Sequence, residues 1–268
     1  MNQINSIIGS TNIITGCASG LGRATLLWFL KNGCGPVLGI DRRIKSDFTE
    51  QLNINDEQKS KLMLRQHDTF DEGVETSLKE FVDKHKHIDN LINVAGISMA
   101  FGFYNGKSQH DSIANAATML NFNTVGTFNM IRHVAKFMID DTTNREKLKN
   151  IINTSCMSTT NPTRHQSFST ATKAALDSMT LSMAREFAPF HIKCNTINVG
   201  YFESSLINPN KELKLAHYLA NEMTLCPKRL GQPEEFAHLV QAIVENPMLN
   251  GACIKIDGAA LSPSLYWP

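Results

Sequence analysis

The stretch Thr15-Gly16-Cys17-Ala18-Ser19-Gly20-Leu21-Gly22 sets three glycines just ahead of a run, Arg23–Asn32, whose apolar residues are placed to pack onto a sheet. Glycine at 16, 20 and 22 permits a tight turn in which backbone N–H groups, at the positive end of a helix, closely approach a diphosphate. Any strand-to-helix turn can use glycines, so the reading needs a second group. Asp41 supplies it, roughly twenty residues on, because a carboxylate there accepts hydrogen bonds from an adenosine ribose and repels a 2′-phosphate. Turn and carboxylate together point to a dinucleotide, NAD in preference to NADP. Arg42 and Arg43 argue the other way, since a neighbouring arginine is the usual phosphate partner.

Metal chemistry finds no support. The six cysteines, Cys17, Cys34, Cys156, Cys194, Cys226 and Cys253, include no CxxC pair and no Cys/His cluster of zinc-ligand spacing. His85 and His87, two apart, point away from each other if both lie on a helix. Scattered cysteines read as those of a reducing compartment.

The elements that must position the turn and the carboxylate follow from apolar patterning. Short apolar runs alternate with longer helix-period segments, the rhythm of a parallel sheet covered on both faces. The expected strands are Asn12–Thr15, Val37–Ile40, Lys61–Arg65, Leu91–Val94, Asn150–Thr154, Ile192–Asn198 and Cys253–Ile256. Helices are expected over Glu72–Lys86, where Val74, Leu78, Phe81 and Val82 share a face, and from Pro233 through Phe236, Leu239, Val240, Ile243 and Val244. Asp140–Lys149 reads as a solvated loop, and Tyr201–Met223 as a loop with a short helix, of the kind that covers a ligand site in doubly wound folds. The expectation is one doubly wound, Rossmann-like α/β domain over residues 1–268.

Composition agrees. The chain has 268 residues, 42% of them hydrophobic, which excludes a disordered or collagen-like polymer. With 26 basic and 25 acidic side chains the net charge is +1, so no overall field steers nucleic acid or an anionic membrane, a local basic patch remaining open. No run approaches the roughly 18 apolar residues that span a bilayer, so a soluble protein is expected. Met1–Ser10 carries no basic residue and no presequence pattern.

At this level of detail the chain resembles the short-chain dehydrogenase/reductase family. The resemblance rests on TGCASGLG, Asp41, Asp68 after the third strand, Asn93-Val94-Ala95-Gly96 after the fourth, and Asn123 in a long helix. It implies that Gly16, Ser19, Leu21 and Asp41 contact the dinucleotide, that Asp68 sits near the adenine, and that Asn93, Ala95 and Gly96 line the cleft. The stretches Asn123–Arg132, Asn150–Thr154, Arg229–Asn250 and Gly251–Ala259 are similar to a mitochondrial branch acting on 3-hydroxyacyl thioesters and steroids. That likeness implies a mitochondrial location, with the cytoplasm as the alternative. It also implies pairing through helices near Ser112–Met138 and Thr170–Phe187.

Family members use a tyrosine as acid/base, a lysine four residues later that lowers its pKa and binds ribose, an upstream serine that holds the substrate oxygen, and a helix asparagine. A phenol suits the work because a nearby ammonium can bring its pKa of about 10 toward the operating range. Reading back from Lys173, the tyrosine position holds Ser169, and the serine position holds Cys156. No register slip restores a tyrosine, since Asn153–Ala188 contains none. Asn123 and Lys173 are retained. Asn198-Val199-Gly200 replaces the family's Pro-Gly beside the nicotinamide. Tyr201 and His165 are the candidates for a relocated acid, with a packing tyrosine and an exposed loop histidine as the plainer readings. Cys156 is a candidate nucleophile, or a small thiol filling the serine's space.

Three functions follow as expectations. The first is an NAD-binding family member that has lost oxidoreductase activity and serves as a subunit of a homo-oligomer or larger assembly. A second is an active dehydrogenase for a 3-hydroxyacyl-CoA or steroid-like alcohol with a rearranged acid/base. The third is a structural module without cofactor.

Overall fold

A computed structural model describes residues 5–99, 113–204, 207, 210 and 213–262. Its centre is a seven-stranded sheet: β1 (Asn12–Thr15), β2 (Val37–Asp41), β3 (Leu62–Gln66), β4 (Asn90–Asn93), β5 (Lys149–Cys156), β6 (Ile192–Val199) and β7 (Cys253–Ile256). Every pairing is parallel. The order β3-β2-β1-β4-β5-β6-β7 reverses direction between β1 and β4, the crevice where doubly wound sheets bind ligands. The expected strands are all present, within two residues at each end, and the fold is Rossmann-like.

The helices are α1 (Gly20–Lys31), α2 (Phe48–Gln51), α3 (Asp56–Ser60), α4 (Gly73–His85), α5 (Ile113–Leu120), α6 (Gly126–Asp140), α7 (Ser167–Phe187), α8 (Leu213–Tyr218) and α9 (Pro233–Glu245). The first residue of the expected long helix, Ser112, lies outside the described residues. Because successive strand residues face opposite sides, adjacent isoleucines serve different cores. Ile14, Ile92 and Ile152 pack with Phe29 of α1 and Phe236 of α9. Ile13, Leu91 and Ile151 pack with Phe81 of α4 and Met130 and Val134 of α6. Phe29, Phe81 and Phe236 are fully buried; truncating any one to alanine costs about 3–5 kcal/mol.

A polar ladder crosses the sheet centre. The register aligns Asn12, Asn90 and Asn150 on neighbouring strands. Asn90 Nδ2 donates to Asn12 Oδ1 and Asn150 Nδ2 to Asn90 Oδ1, both at 2.8 Å. The amides pair donor to acceptor along the row and so hold neighbouring strands in register, with the Asn150 Oδ1 at its end left without a partner.

Two expectations are corrected. The segment Asp140–Lys149 is anchored as well as solvated. Lys149, 2% exposed, donates to the Met138 carbonyl at 2.6 Å and lies 3.2 Å from Asp141. This closes a carbonyl left open in the last turn of α6. His85 and His87 do not share a helix, because Lys86 adopts a left-handed conformation that ends α4. His87 instead turns to Asp89, its Nε2 3.4 Å from the carboxylate.

Candidate functional site

The glycine turn joins β1 to α1 with Gly16 at φ +70° and Gly20 at φ +52°, left-handed values that favour glycine. A Cβ on Gly16 would stand 2.8 Å from the Ala95 backbone nitrogen. Gly22 does a different job from the one expected: its Cβ would lie 2.1 Å from the Gly16 carbonyl oxygen, so it lets the turn close on the helix and does not line the cleft. No acidic residue occupies the first turn of α1, and the Ser19 side chain makes no capping bond. The helix therefore presents its positive N-terminal end to the cleft.

Asp41 ends β2 beside this turn. Its Oδ2 accepts from the Ala18 N–H at 3.0 Å and its Oδ1 from the Arg43 N–H at 2.9 Å. A carboxylate offers about four lone-pair sites, so two remain for a ligand hydroxyl pair. Asp68 follows β3 and its carboxyl is held above its ordinary range, chiefly by burial and next by Asp71, with Arg42 opposing.

These groups surround a cavity of ≈ 450 Å³. Of the residues named from sequence, Gly16, Ser19, Gly20, Leu21, Asp41, Asp68, Ala95 and Gly96 line it. Asn93 does not: it is buried in the sheet and donates to Asn153 Oδ1 at 3.0 Å. Sequence reasoning missed His67, Thr69, Ile97, Phe122 and Ser204, which also line the cavity. His67 and Phe122 immediately precede Asp68 and Asn123, the only signal that marked them. The Arg42 guanidinium lies 4.5 Å from the Phe122 ring centroid, and Phe122 meets Phe70 edge to face at 5.2 Å.

The expected reactive groups gather behind Gly96. Asn123 is fully buried in a wide, π-type turn, Asn121–Val125, between α5 and α6. Its Oδ1 accepts from the Ile97 N–H at 2.8 Å, and its Nδ2 donates to the Ile97 carbonyl at 2.9 Å and to Thr172 Oγ1 at 3.0 Å. Lys173, on α7, donates to the Thr154 carbonyl oxygen at 2.8 Å. Burial pulls its pKa down to about 8, while Cys156 and Asp177 oppose that shift. Gly96 makes room for both, since a Cβ there would lie 2.9 Å from Lys173 Nζ and 3.2 Å from Asn123 Oδ1.

The two altered positions are less engaged. Ser169 is buried, its hydroxyl 3.5 Å from that of Ser98, at the limit of a hydrogen bond. Cys156 is half-buried at the end of β5, its sulfur accepting from the Ser158 N–H at 3.4 Å. Tyr201 donates to the Leu261 carbonyl at 3.1 Å; burial, with Cys156 adding to it, pushes its phenol up to about 12. His165 is exposed with φ +63°. Asn198, in the altered Asn-Val-Gly, donates to Asp177 at 2.7 Å and to Thr159 at 2.9 Å. Among the described residues no group of three potential metal ligands occurs, and no helix is long and apolar enough to cross a membrane.

Comparison with known proteins agrees with this arrangement. The family model described as short chain dehydrogenase matches residues 10–214. The 3-hydroxyacyl-CoA dehydrogenase type-2 of Drosophila melanogaster is 35% identical over 256 residues, covering 94% of this chain and 98% of the relative. The human protein of that name is also 35% identical over 256 residues, covering 95% and 96% respectively. In fold, the chain is similar to the crystal structure of 3-hydroxyacyl-CoA dehydrogenase type-2 from Mycobacterium avium, with TM-score 0.83, 23% identity, and coverage of 94% of this chain and 96% of that one. The glycine turn, the carboxylate after β2 and the matched length together make this chain a member of the short-chain dehydrogenase family.

Proposed function

We propose that this protein binds NAD through the β1–α1 turn and has lost the proton-transfer step of its family, acting as a single-domain subunit of a homo-oligomer or larger assembly. The dinucleotide, when bound, supplies a hydride donor or acceptor at its nicotinamide. The fit rests on the glycine cradle: Gly16 and Gly96 stand where any Cβ would collide with Ala95 or Lys173. The N–H groups of the turn and the first turn of α1 hold a diphosphate, Asp41 accepts from ribose hydroxyls, and Lys173 donates to a sugar oxygen.

One observation carries the loss of chemistry. Serine and cysteine occupy the two positions that would touch a reacting oxygen, while the Tyr201 phenol is tied to Leu261 and pushed to about 12, away from the range an acid/base needs. Apolar side chains left exposed, among them Val125 of the wide turn, Phe128 of α6 and Leu181 of α7, support a protein partner. The resemblance to the mitochondrial branch supports a mitochondrial location.

The 35% identity to relatives named 3-hydroxyacyl-CoA dehydrogenase favours a second reading, an active oxidoreductase on a 3-hydroxyacyl thioester in which Tyr201 is the relocated acid. Two measurements separate them. Thermal denaturation with and without NAD tests binding, since ligand at 100 times its Kd adds about 2.7 kcal/mol. NADH oxidation with a 3-ketoacyl thioester tests chemistry. A stability shift without turnover is expected; turnover abolished by Tyr201→Phe would establish the second reading.

A further inference from the structure

A second cavity, of ≈ 420 Å³, opens at the opposite edge of the sheet from the glycine turn. The dinucleotide cleft lies past the C-terminal ends of β1, β2 and β4, whereas this cavity is bordered by Lys149, the first residue of β5, and by His191, just ahead of β6. Among the described residues the two have no wall in common. Its volume falls within the range of about 300–1,000 Å³ typical of small-ligand sites.

The wall includes the Lys149–Asp141 ion pair, each side chain 2% exposed. Asp141 Oδ1 accepts from the Thr143 N–H at 2.9 Å, the Thr143 hydroxyl at 2.7 Å and the Asn144 N–H at 3.3 Å. Its Oδ2 accepts no hydrogen bond and faces only the Lys149 ammonium, 3.2 Å away. A buried carboxylate oxygen left in this state is costly, and a ligand N–H would relieve it. The C-terminal end of α6 stands beside it, and Lys149 closes one of the carbonyls there, that of Met138. Open carbonyls at a helix end also favour a positive group.

The opposite preference sits alongside. Arg145 borders the cavity, is exposed and pairs with no acid among the described residues. Its guanidinium fork matches a carboxylate. With Glu146, the wall holds two charges of each sign, Asp141 and Glu146 against Lys149 and Arg145. A lone anion would meet two carboxylates and a lone cation two cations, whereas a molecule carrying both charges can meet each with its opposite. Phe190, 43% exposed, offers an apolar surface next to Pro189 and Ile139.

We infer that this cavity binds a zwitterionic α-amino acid with an apolar side chain, its ammonium on Asp141 and the end of α6, its carboxylate on Arg145 and its side chain against Phe190. The site is separate from the dinucleotide cleft and does not depend on NAD binding.

Isothermal titration of the full chain with L-phenylalanine tests this, beside phenethylamine, which lacks the carboxylate, and 3-phenylpropionate, which lacks the ammonium. L-phenylalanine is expected to bind, with each one-charge analogue at least about tenfold weaker. Arg145→Ala and Asp141→Asn should each weaken the amino acid by about tenfold or more. Excess NAD should leave its Kd unchanged. The inference is overturned if L-phenylalanine does not bind at millimolar concentration, if either analogue binds as tightly, if Arg145→Ala binds as wild type does, or if NAD displaces the amino acid. None of these outcomes bears on whether NAD binds its own cleft. Asp141→Asn leaves the buried Lys149 without its counter-charge; should that variant fail to fold, the analogues and Arg145→Ala decide.

Discussion

The Lys173 ammonium donates to the carbonyl oxygen of Thr154, 2.8 Å away across the gap between α7 and β5. The ammonium is held in place partly by the absence of a side chain at Gly96, whose Cβ would sit 2.9 Å from it. With no side chain at Gly96, the ammonium keeps its place beside β5.

Gly96→Ala is expected to leave the fold intact, because the nearest atom is the end of a flexible lysine, and to move the ammonium off Thr154. The NAD-induced rise in melting temperature should shrink or vanish. Gly22→Ala is the contrasting change: its Cβ would meet the Gly16 carbonyl at 2.1 Å, backbone against backbone. A loss of about 1–3 kcal/mol or more in stability is expected, read by urea denaturation.

Ser169→Tyr with Cys156→Ser should raise 3-ketoacyl thioester reduction by about 10²-fold or more over wild type, since positioned proton transfer typically contributes 10²–10⁴-fold. The single change Cys156→Ser should not, because it supplies no proton donor of suitable pKa. Equal rates for the double variant and wild type would show that the altered tetrad is not what limits turnover.

Lys193 offers a pH signature. It is 2% exposed and its ammonium donates to the carbonyls of Ile243 and Asn246, closing the end of α9. Burial lowers its pKa from 10.5 to about 8. Between those values the unfolded chain binds a proton that the folded one does not, so stability rises with pH across that window. The melting temperature of wild type relative to Lys193→Met should therefore climb from pH 8 toward 10.5 and stay level below pH 8.

Asp89, just before β4, lies at the same N-terminal edge of the sheet as Lys193. Its side chain is 3% exposed, accepts from the Thr11 N–H at 2.9 Å and pairs with Lys147 at 2.8 Å and His87 at 3.4 Å. Burial alone would raise its pKa, but these partners outweigh it and hold the carboxyl below its ordinary value. The stabilisation is present above the ordinary carboxylate pKa and lost as pH falls through the folded value. Asp89→Asn should cost about 3 kcal/mol near neutrality, with the difference from wild type shrinking in acid.

The strands, their parallel order of appearance and the glycine turn were legible in the sequence because period-2 and period-3.6 patterning and the φ demands of a tight turn are local properties. So was the replacement of tyrosine by Ser169 and serine by Cys156, since a missing residue type needs no coordinates. Only the tertiary structure separated Gly22 and Asn93, which pack the scaffold, from Gly16 and Gly96, which shape the cleft. The difference lies in what stands opposite each backbone atom. It alone joined Arg42 to Phe122, eighty positions apart in the chain, because the wide turn before α6 and the end of β2 meet at the switch point of the sheet. And it turned a polar stretch read as a solvated loop into the buried Lys149–Asp141 pair, since charge in a sequence carries no record of the carbonyls it will find.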